Sequence, residues 1–491
     1  MNLVSSQVAP HSDVHMEVSA ALAAWGPGIA YGRLLRFRSG DGVELPSLSV
    51  ECEVCIGWEM TDGTTFEFRL RDDVMWQDLQ PVNGRQLVAE DIAYSYERQR
   101  SEGMPNGALL NIVDSVEVES QDLLRVNIFA PDADFLGALA DGHSKIVARE
   151  AVELSGDLRG GPTIGIGAWV FEEAREDMTF TFRRNEDYFL DGMPMLDRLR
   201  IHTITDDDTA YAAFRVNNVD VHRLRQEEWE EFRLQKPDAT MLKFKETGIG
   251  LEVAFKTTRQ PFDDVRVRRA AMLAMRPERA IEETWQGAAY QTQGVPLGRA
   301  DWWLGEEQLG MYFDDHPRAT ALLSEAVGAL PVPVVVRAGD FGAEYLEHAE
   351  RIAGEMRSVG FAPELEIVDR RWFGEEVWLG GDYQMFVGPM APVASPNGYM
   401  LAVLSSEGAW NTTGHSDEAL DALILAQAGE FDAEERRRLV MEIQRHAMEQ
   451  AYRFMPAAAV SLWAWWPHVR GLEPNFVGSE YSHWERVWLE E

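Results

Sequence analysis

At 491 residues the chain is too long for one compact core, so two or three domains are expected. Hydrophobic residues make up 45% and charged residues 26%, a globular composition that excludes a disordered chain. A formal net charge of -37 leaves no basic footprint for nucleic acid and disfavours anionic lipid, whereas it favours solubility in a salty or exposed medium and attracts cations.

Met1 to His15 has no basic stretch followed by an apolar core, so no signal peptide is read there. The chain is then either cytoplasmic or separated from a leader upstream of Met1. Ala20 to Leu35 reads as a helix interrupted by Gly26, Pro27 and Gly28. Cys52 and Cys55, the two cysteines, supply half a zinc site with no second pair nearby. A thioredoxin-like pair would open a helix, whereas this one precedes the strand-like run Trp58 to Arg71. The pair forms either a local disulfide in an oxidising compartment or two plain thiols. Phe66, Phe68 and Leu70 alternate with Glu67 and Arg69 at strand period. Ala89 to Arg100 is expected as a helix and Ser115 to Ile128 as strand, an α+β pattern. Gly160 to Gly167 reads as a loop, followed by strands at Trp169 to Arg183 and Leu199 to Ile204 and a helix at Asp207 to Val216.

Gly250 to Phe255 is an apolar strand, and Val265 to Met275 a helix behind an acidic first turn. Helix then alternates with strand: His316 to Leu330, Val332 to Arg337, Gly342 to Val359, Glu364 to Val368, Tyr383 to Val387, Ser416 to Ala428 and Ala433 to Gln450. That order implies a mostly parallel, two-sided α/β layer. The last strand, Ala457 to Trp466, places Trp463 and Trp465 on one face, and no apolar run reaches membrane-spanning length.

No phosphate-binding loop, H-E-x-x-H or G-x-S-x-G motif occurs. Gly165-Ile166-Gly167 lacks the third glycine of a dinucleotide loop, and the eleven histidines form no ligand set with the cysteines. A non-enzymatic chain with no cofactor and no metal is expected. Several of the sixteen tryptophans fall in the loop-rich second half: Trp285, Trp302, Trp303, Trp372, Trp378 and Trp410. Two or three of these are expected to wall a ligand pocket, the rest to fill core.

Six segments in order resemble the peptide-type, family 5 extracellular solute-binding proteins. They are Tyr31-Gly32-Arg33-Leu34-Leu35 with Leu45-Pro46-Ser47-Leu48; Trp58-Glu59 through Val74-Met75-Trp76; Ala89 to Tyr96; Pro162 to Trp169; Arg184-Asn185-Glu186-Asp187-Tyr188-Phe189; and Pro261 to Ala270. The resemblance spans Ile29 to Pro474. It implies a type II periplasmic-binding-protein-like α/β fold, two α/β lobes with a hinge plus an additional α+β domain. Lobe I would comprise 1–46, 163–256 and 457–491, the additional domain 47–162, and the α/β lobe III 257–456. Ligand would lie in the inter-lobe cleft, closed by a hinge, and a monomer would deliver it to ABC permease subunits. A periplasmic or extracellular location follows, with any lipid anchor on a leader upstream of Met1.

The resemblance also marks a departure. Asp382 to Gly388 resembles the strand leading to the family's amino-group site, yet Pro389 stands where an aromatic is usual and Pro392 where the acidic residue is expected. A neutral ring cannot balance a buried ammonium. A substitute carboxylate is therefore expected, or a ligand other than a peptide: an uncharged or weakly basic oligomer, an oligosaccharide or a metal complex. Met390, Pro392, Asn397, Tyr399, Trp410 and Asn411 are the expected ligand-facing residues, on loops at strand ends, with Trp372 and Trp25 behind them. A hydrolase or a sensory receptor on the same scaffold is the rival reading.

Overall fold

The computed structural model describes residues 1–40, 42–175, 179–390, 395–475 and 483–490, without the side chains of 246–249. The chain divides into two compact units, Met1–Leu242 with Leu462–Glu491, and Lys243–Ser461.

In the first unit, strand alternation builds two four-stranded sheets. One joins β1 (Asn2–Ser5) in parallel to the last of three later antiparallel strands. Between them lie β2 (Leu35–Phe37) and β3 (Val50–Cys52), an antiparallel pair, and then β4 (Cys55–Asp62), β5 (Thr65–Leu70), β6 (Val113–Ser120) and β7 (Leu123–Ile128). These last four form a sheet in the order β4-β5-β7-β6, within the segment expected as the additional α+β domain. Phe66 opposes Val126 and Phe68 opposes Leu124, all buried, as period two requires. The helix Ala89–Gln99 covers this sheet with Ile92 and Tyr96. Strands β8 (Trp169–Ala174), β9 (Thr179–Arg184) and β10 (Arg198–Thr203) complete the other sheet, ordered β1-β10-β9-β8. Short β11 (Val221–Arg223) pairs with Trp463–Trp465.

One expectation fails in this unit. Ala20 to Leu35 is not one interrupted helix: Ala20–Ala23 is helical, Pro27–Ala30 forms a 3-10 turn, and Leu35 already belongs to β2. The chain folds back on itself here, so closely that a Cβ at Gly26 would lie 2.4 Å from the Ala21 carbonyl oxygen and one at Gly28 2.4 Å from that of Leu22. The glycines permit this contact.

The second unit is a covered sheet. Its strands are β12 (Thr240–Phe255, entering the unit at Lys243), β13 (Ala289–Thr292), β14 (Val332–Gly339), β15 (Phe361–Val368), β16 (Met385–Pro389) and β17 (Arg453–Trp465, leaving after Ser461). The order is β17-β12-β16-β14-β15, with β13 antiparallel on β17. Parallel pairing is confined to β14 with β15 and β16, while β12 runs antiparallel to β16. The strands joined through helices are thus the parallel ones, as crossover connections demand.

Leu251, Val253 and Phe255 of β12 face a core shared with Val334 and Val336 and the helices Val265–Ala274, His316–Val327 and Ala343–Val359. Ala254 points to the opposite face, where Phe373, Val377, Tyr383 and Phe386 pack. Both faces are therefore buried, which explains the near-continuous apolar runs of these strands. Among the described residues no helix is long and apolar enough to cross a membrane.

Candidate functional site

The carboxyl ends of β14 and β16 and the chain after β16 form the natural ligand side of an α/β layer. After Pro389 and Met390, Ser395 caps the short helix Pro396–Tyr399 by accepting from the Gly398 N–H at 3.0 Å. A wider π-type turn, Met400–Leu404, follows directly.

A buried charge pair fixes this segment. Glu252 on β12 and Arg453 on β17 lie 3.6 Å apart, each about 1% exposed. Burial pushes the Glu252 carboxyl above its ordinary value, and Arg453 pulls it back. The Tyr399 hydroxyl donates to Glu252 Oε1 at 3.1 Å, tying the segment to the sheet. Arg453 also donates to the Thr412 hydroxyl at 3.4 Å, and the Tyr383 hydroxyl lies 3.3 Å from that same oxygen.

The loop from Trp410 to Asp417 is latched in the same way. Asn411 donates to the carbonyls of Ser406 and His415 at 3.0 and 2.9 Å. His415 donates from Nε2 to the Leu404 carbonyl at 2.7 Å, and its Nδ1 lies 2.7 Å from the Thr413 hydroxyl, which donates to Asn411 Oδ1 at 2.8 Å. Burial lowers the pKa of His415 to about 4, so the ring is neutral. It stacks on Tyr452 at 4.2 Å, whose hydroxyl donates to Asp417 at 3.0 Å.

The expected site residues separate into groups. Met390 and Tyr399 are buried in one cluster, with Trp410 packed half-buried against it; Asn411 follows in the latched loop. Asn397 points instead to the helices Glu418–Ala428 and Ala433–Gln450. It donates to the Ala428 carbonyl at 3.0 Å and accepts from Gln427 at 2.8 Å and Arg436 at 3.1 Å. Trp372 belongs to the Ala254 cluster, on the same face of the sheet as Glu252, which Tyr399 bonds, with the Arg337 guanidinium 4.6 Å above its ring. Trp25 is in the first unit, stacked on Trp463 at 5.9 Å and edge-on to Trp484 at 5.5 Å. Pro392 lies outside the described residues. Cys52 and Cys55 form a disulfide.

The residues not anticipated are Glu252, Arg453 and Tyr383, together with Lys245 and Tyr290 in the Met390 cluster region. A charged residue inside an apolar strand was the available signal for Glu252 and Arg453, since burial at that position demands a partner. Among the described residues no group of three or more His, Cys, Asp or Glu side chains is placed to hold a metal ion.

Comparison with known proteins agrees with this architecture. The family model for bacterial extracellular solute-binding proteins, family 5 (middle), matches residues 46–412. The chain is 25% identical over 480 residues to heme-binding protein A of Haemophilus influenzae, covering 90% of this chain and 84% of the relative. It is also 25% identical over 459 residues to di/tripeptide-binding protein 2 of Pseudomonas aeruginosa, covering 86% of this chain and 82% of the relative. The structure of HbpA2 from Haemophilus parasuis matches with a TM-score of 0.83 over 100% of this chain and 99% of that one, at 19% identity, a likeness of fold. The chain belongs to the bacterial extracellular solute-binding proteins of family 5.

Proposed function

We propose that this protein captures a peptide or peptide-like solute outside the cytoplasm and delivers it to the membrane permease of an ABC importer, without turning it over. The family match across residues 46–412 carries this reading. The relative named a di/tripeptide-binding protein supports the ligand class. The Cys52–Cys55 disulfide supports a periplasmic or extracellular location, because such bonds persist in oxidising compartments. The protein acts as a monomer.

Trp410 and Trp372, both half-buried, are the ring surfaces proposed to meet ligand; Asn411 follows Trp410 in its loop, and Met390 is in the cluster against which Trp410 packs. Tyr399 and Asn397 contribute by holding the segment through Glu252 and Arg436. A second reading, haem capture, is favoured by the similarity to a heme-binding protein.

A thermal-shift screen of the whole chain tests both. Saturation at a hundred times the dissociation constant adds about 2.7 kcal/mol, which raises the melting point of a chain this long by about 2–3 °C if it melts as one unit. A pool of di- to pentapeptides is expected to give that shift. A response to haem alone, with a Soret band that co-elutes with the protein, would replace the peptide by haem. Cleavage of pool components, seen by mass spectrometry, would overturn binding without turnover.

A further inference from the structure

Lysine is scarce here: only Lys145, Lys236, Lys243, Lys245 and Lys256 are found among 45 basic residues. In the second unit, two of them use their ammonium on main-chain oxygens: Lys243 donates to the Gly287 carbonyl at 2.9 Å and Lys256 to the Thr412 carbonyl at 2.7 Å. Lys245 on β12 differs. Its Nζ lies 5.0 Å from the Tyr290 ring centroid and 5.7 Å from that of Trp303. The two rings stack at 5.3 Å with 28° between their planes, in the cluster that also holds Met390 and Tyr399. Among the described residues Lys245 makes no ion pair, in a chain carrying 82 acidic residues. The indole N–H of Trp303 is buried with no acceptor among the described residues.

Aromatic faces hold a cation in place without neutralising it, and an ammonium so held keeps its hydrogen-bond donors. The Lys245 ammonium is thus a fixed positive charge in a partly apolar setting, where a charge-assisted hydrogen bond is stronger than in water. A second donor, the Trp303 N–H, is unsatisfied beside it, and an acceptor that reaches it removes a desolvation cost. Neither group suits a cationic solute. Both suit an anion whose adjoining apolar part lies against the rings.

We propose that Lys245, held over Tyr290 and Trp303, anchors a carboxylate of the captured solute. The inference rests on the solute-capture reading and narrows it: the expected uncharged or weakly basic oligomer gains an acidic end. The scarcity of lysine supplies the probe. With lysine labelled at Cε by carbon-13, the whole chain gives five side-chain signals, and Lys245→Met identifies one of them by its loss. Benzoate is expected to shift the Lys245 signal saturably and to leave the other four in place. Benzamide, equal in shape but uncharged, should bind at least about tenfold more weakly, the effect of one charge-assisted bond. Equal shifts for benzoate and benzamide, no shift, or a uniform shift of all five signals would overturn the anchor. The two readings fail separately. A peptide pool that raises the melting point without moving the Lys245 signal rejects the anchor and keeps solute capture. A specific benzoate response with no peptide or haem response keeps the anchor and rejects the proposed solutes.

Discussion

His348 is a buried polar side chain whose ring nitrogens have no hydrogen-bond partner among the described residues; it sits edge-on to Trp285 at 5.2 Å. Burial, reinforced by Arg351, drives its pKa down to about 3, so the ring is neutral at neutral and mildly acidic pH. A buried polar group left unbonded costs about 1–3 kcal/mol, so His348→Leu, close in volume and wholly apolar, should stabilise the protein by about 1 kcal/mol. The check is a higher urea midpoint at unchanged slope; a lower midpoint would show that the ring is satisfied in solution. Asn397 is the opposite case, because each arm of its amide is used. Asn397→Ala would strand the Ala428 carbonyl and one Arg436 donor in the interior, at a cost of about 2–3 kcal/mol. A variant that loses ligand binding while keeping full stability would instead return Asn397 to the ligand-facing set.

At the scale of elements, the Cys52–Cys55 bond joins β3 to β4 across only two intervening residues. Closing so small a loop restrains the unfolded chain modestly, and the loop-entropy relation gives about 2 kcal/mol. Melting of Cys52→Ser/Cys55→Ser against the parent measures it, and an effect within error would mean that the strand pairing alone fixes this corner. The same elements show what the sequence could and could not reveal. Strands with clean alternation, such as Thr65–Leu70, and helices with an acidic cap, such as Val265–Ala274, were readable from local pattern. The helix Gln226–Gln235 was not, because its polar sequence buries little beyond Phe232 and Glu228 and leaves no apolar stripe. Nor were the wide turns Phe373–Leu379 and Met400–Leu404, which have no periodic signature. That Met390, Tyr399 and Trp410 come together was legible because strand-end loops converge in an α/β layer. The Glu252–Arg453 pair was not, since its partners lie on strands far apart in the chain and only the sheet order makes them neighbours.

For the whole molecule, two electrostatic effects act together, and salt separates them. The net charge of -37 works against the compact state by self-repulsion, so raising salt at pH 7.5 should raise the melting point. At about 1 M salt the screening length falls to about 3 Å, and what remains are buried groups. Burial lowers the folded pKa of His15, His222 and His415 to about 4 and that of His348 to about 3, from an ordinary 6.5, and holds His483 well below that value. Below pH 6.5 the unfolded chain therefore binds protons that the folded chain refuses. Stability is full above 6.5 and is lost as pH falls toward 4. Glu252 and Glu355 have the opposite sign: burial raises their folded pKa, so their cost sets in as pH rises from 4.5. Between pH 6.5 and 4.5 these five histidines outnumber the two carboxyls, and stability in high salt should fall on acidification. Each buried neutral histidine contributes up to about 1.4 kcal/mol per pH unit to that slope. His348→Leu should flatten it by one histidine's share as well as raise its plateau. Urea melts of parent and variant in high salt at pH 7.5, 5.5 and 4.5 would show this as two curves that diverge toward acid. Parallel curves would mean that the ring takes up its proton without unfolding, and that the Trp285 side of the helix opens to water at low pH.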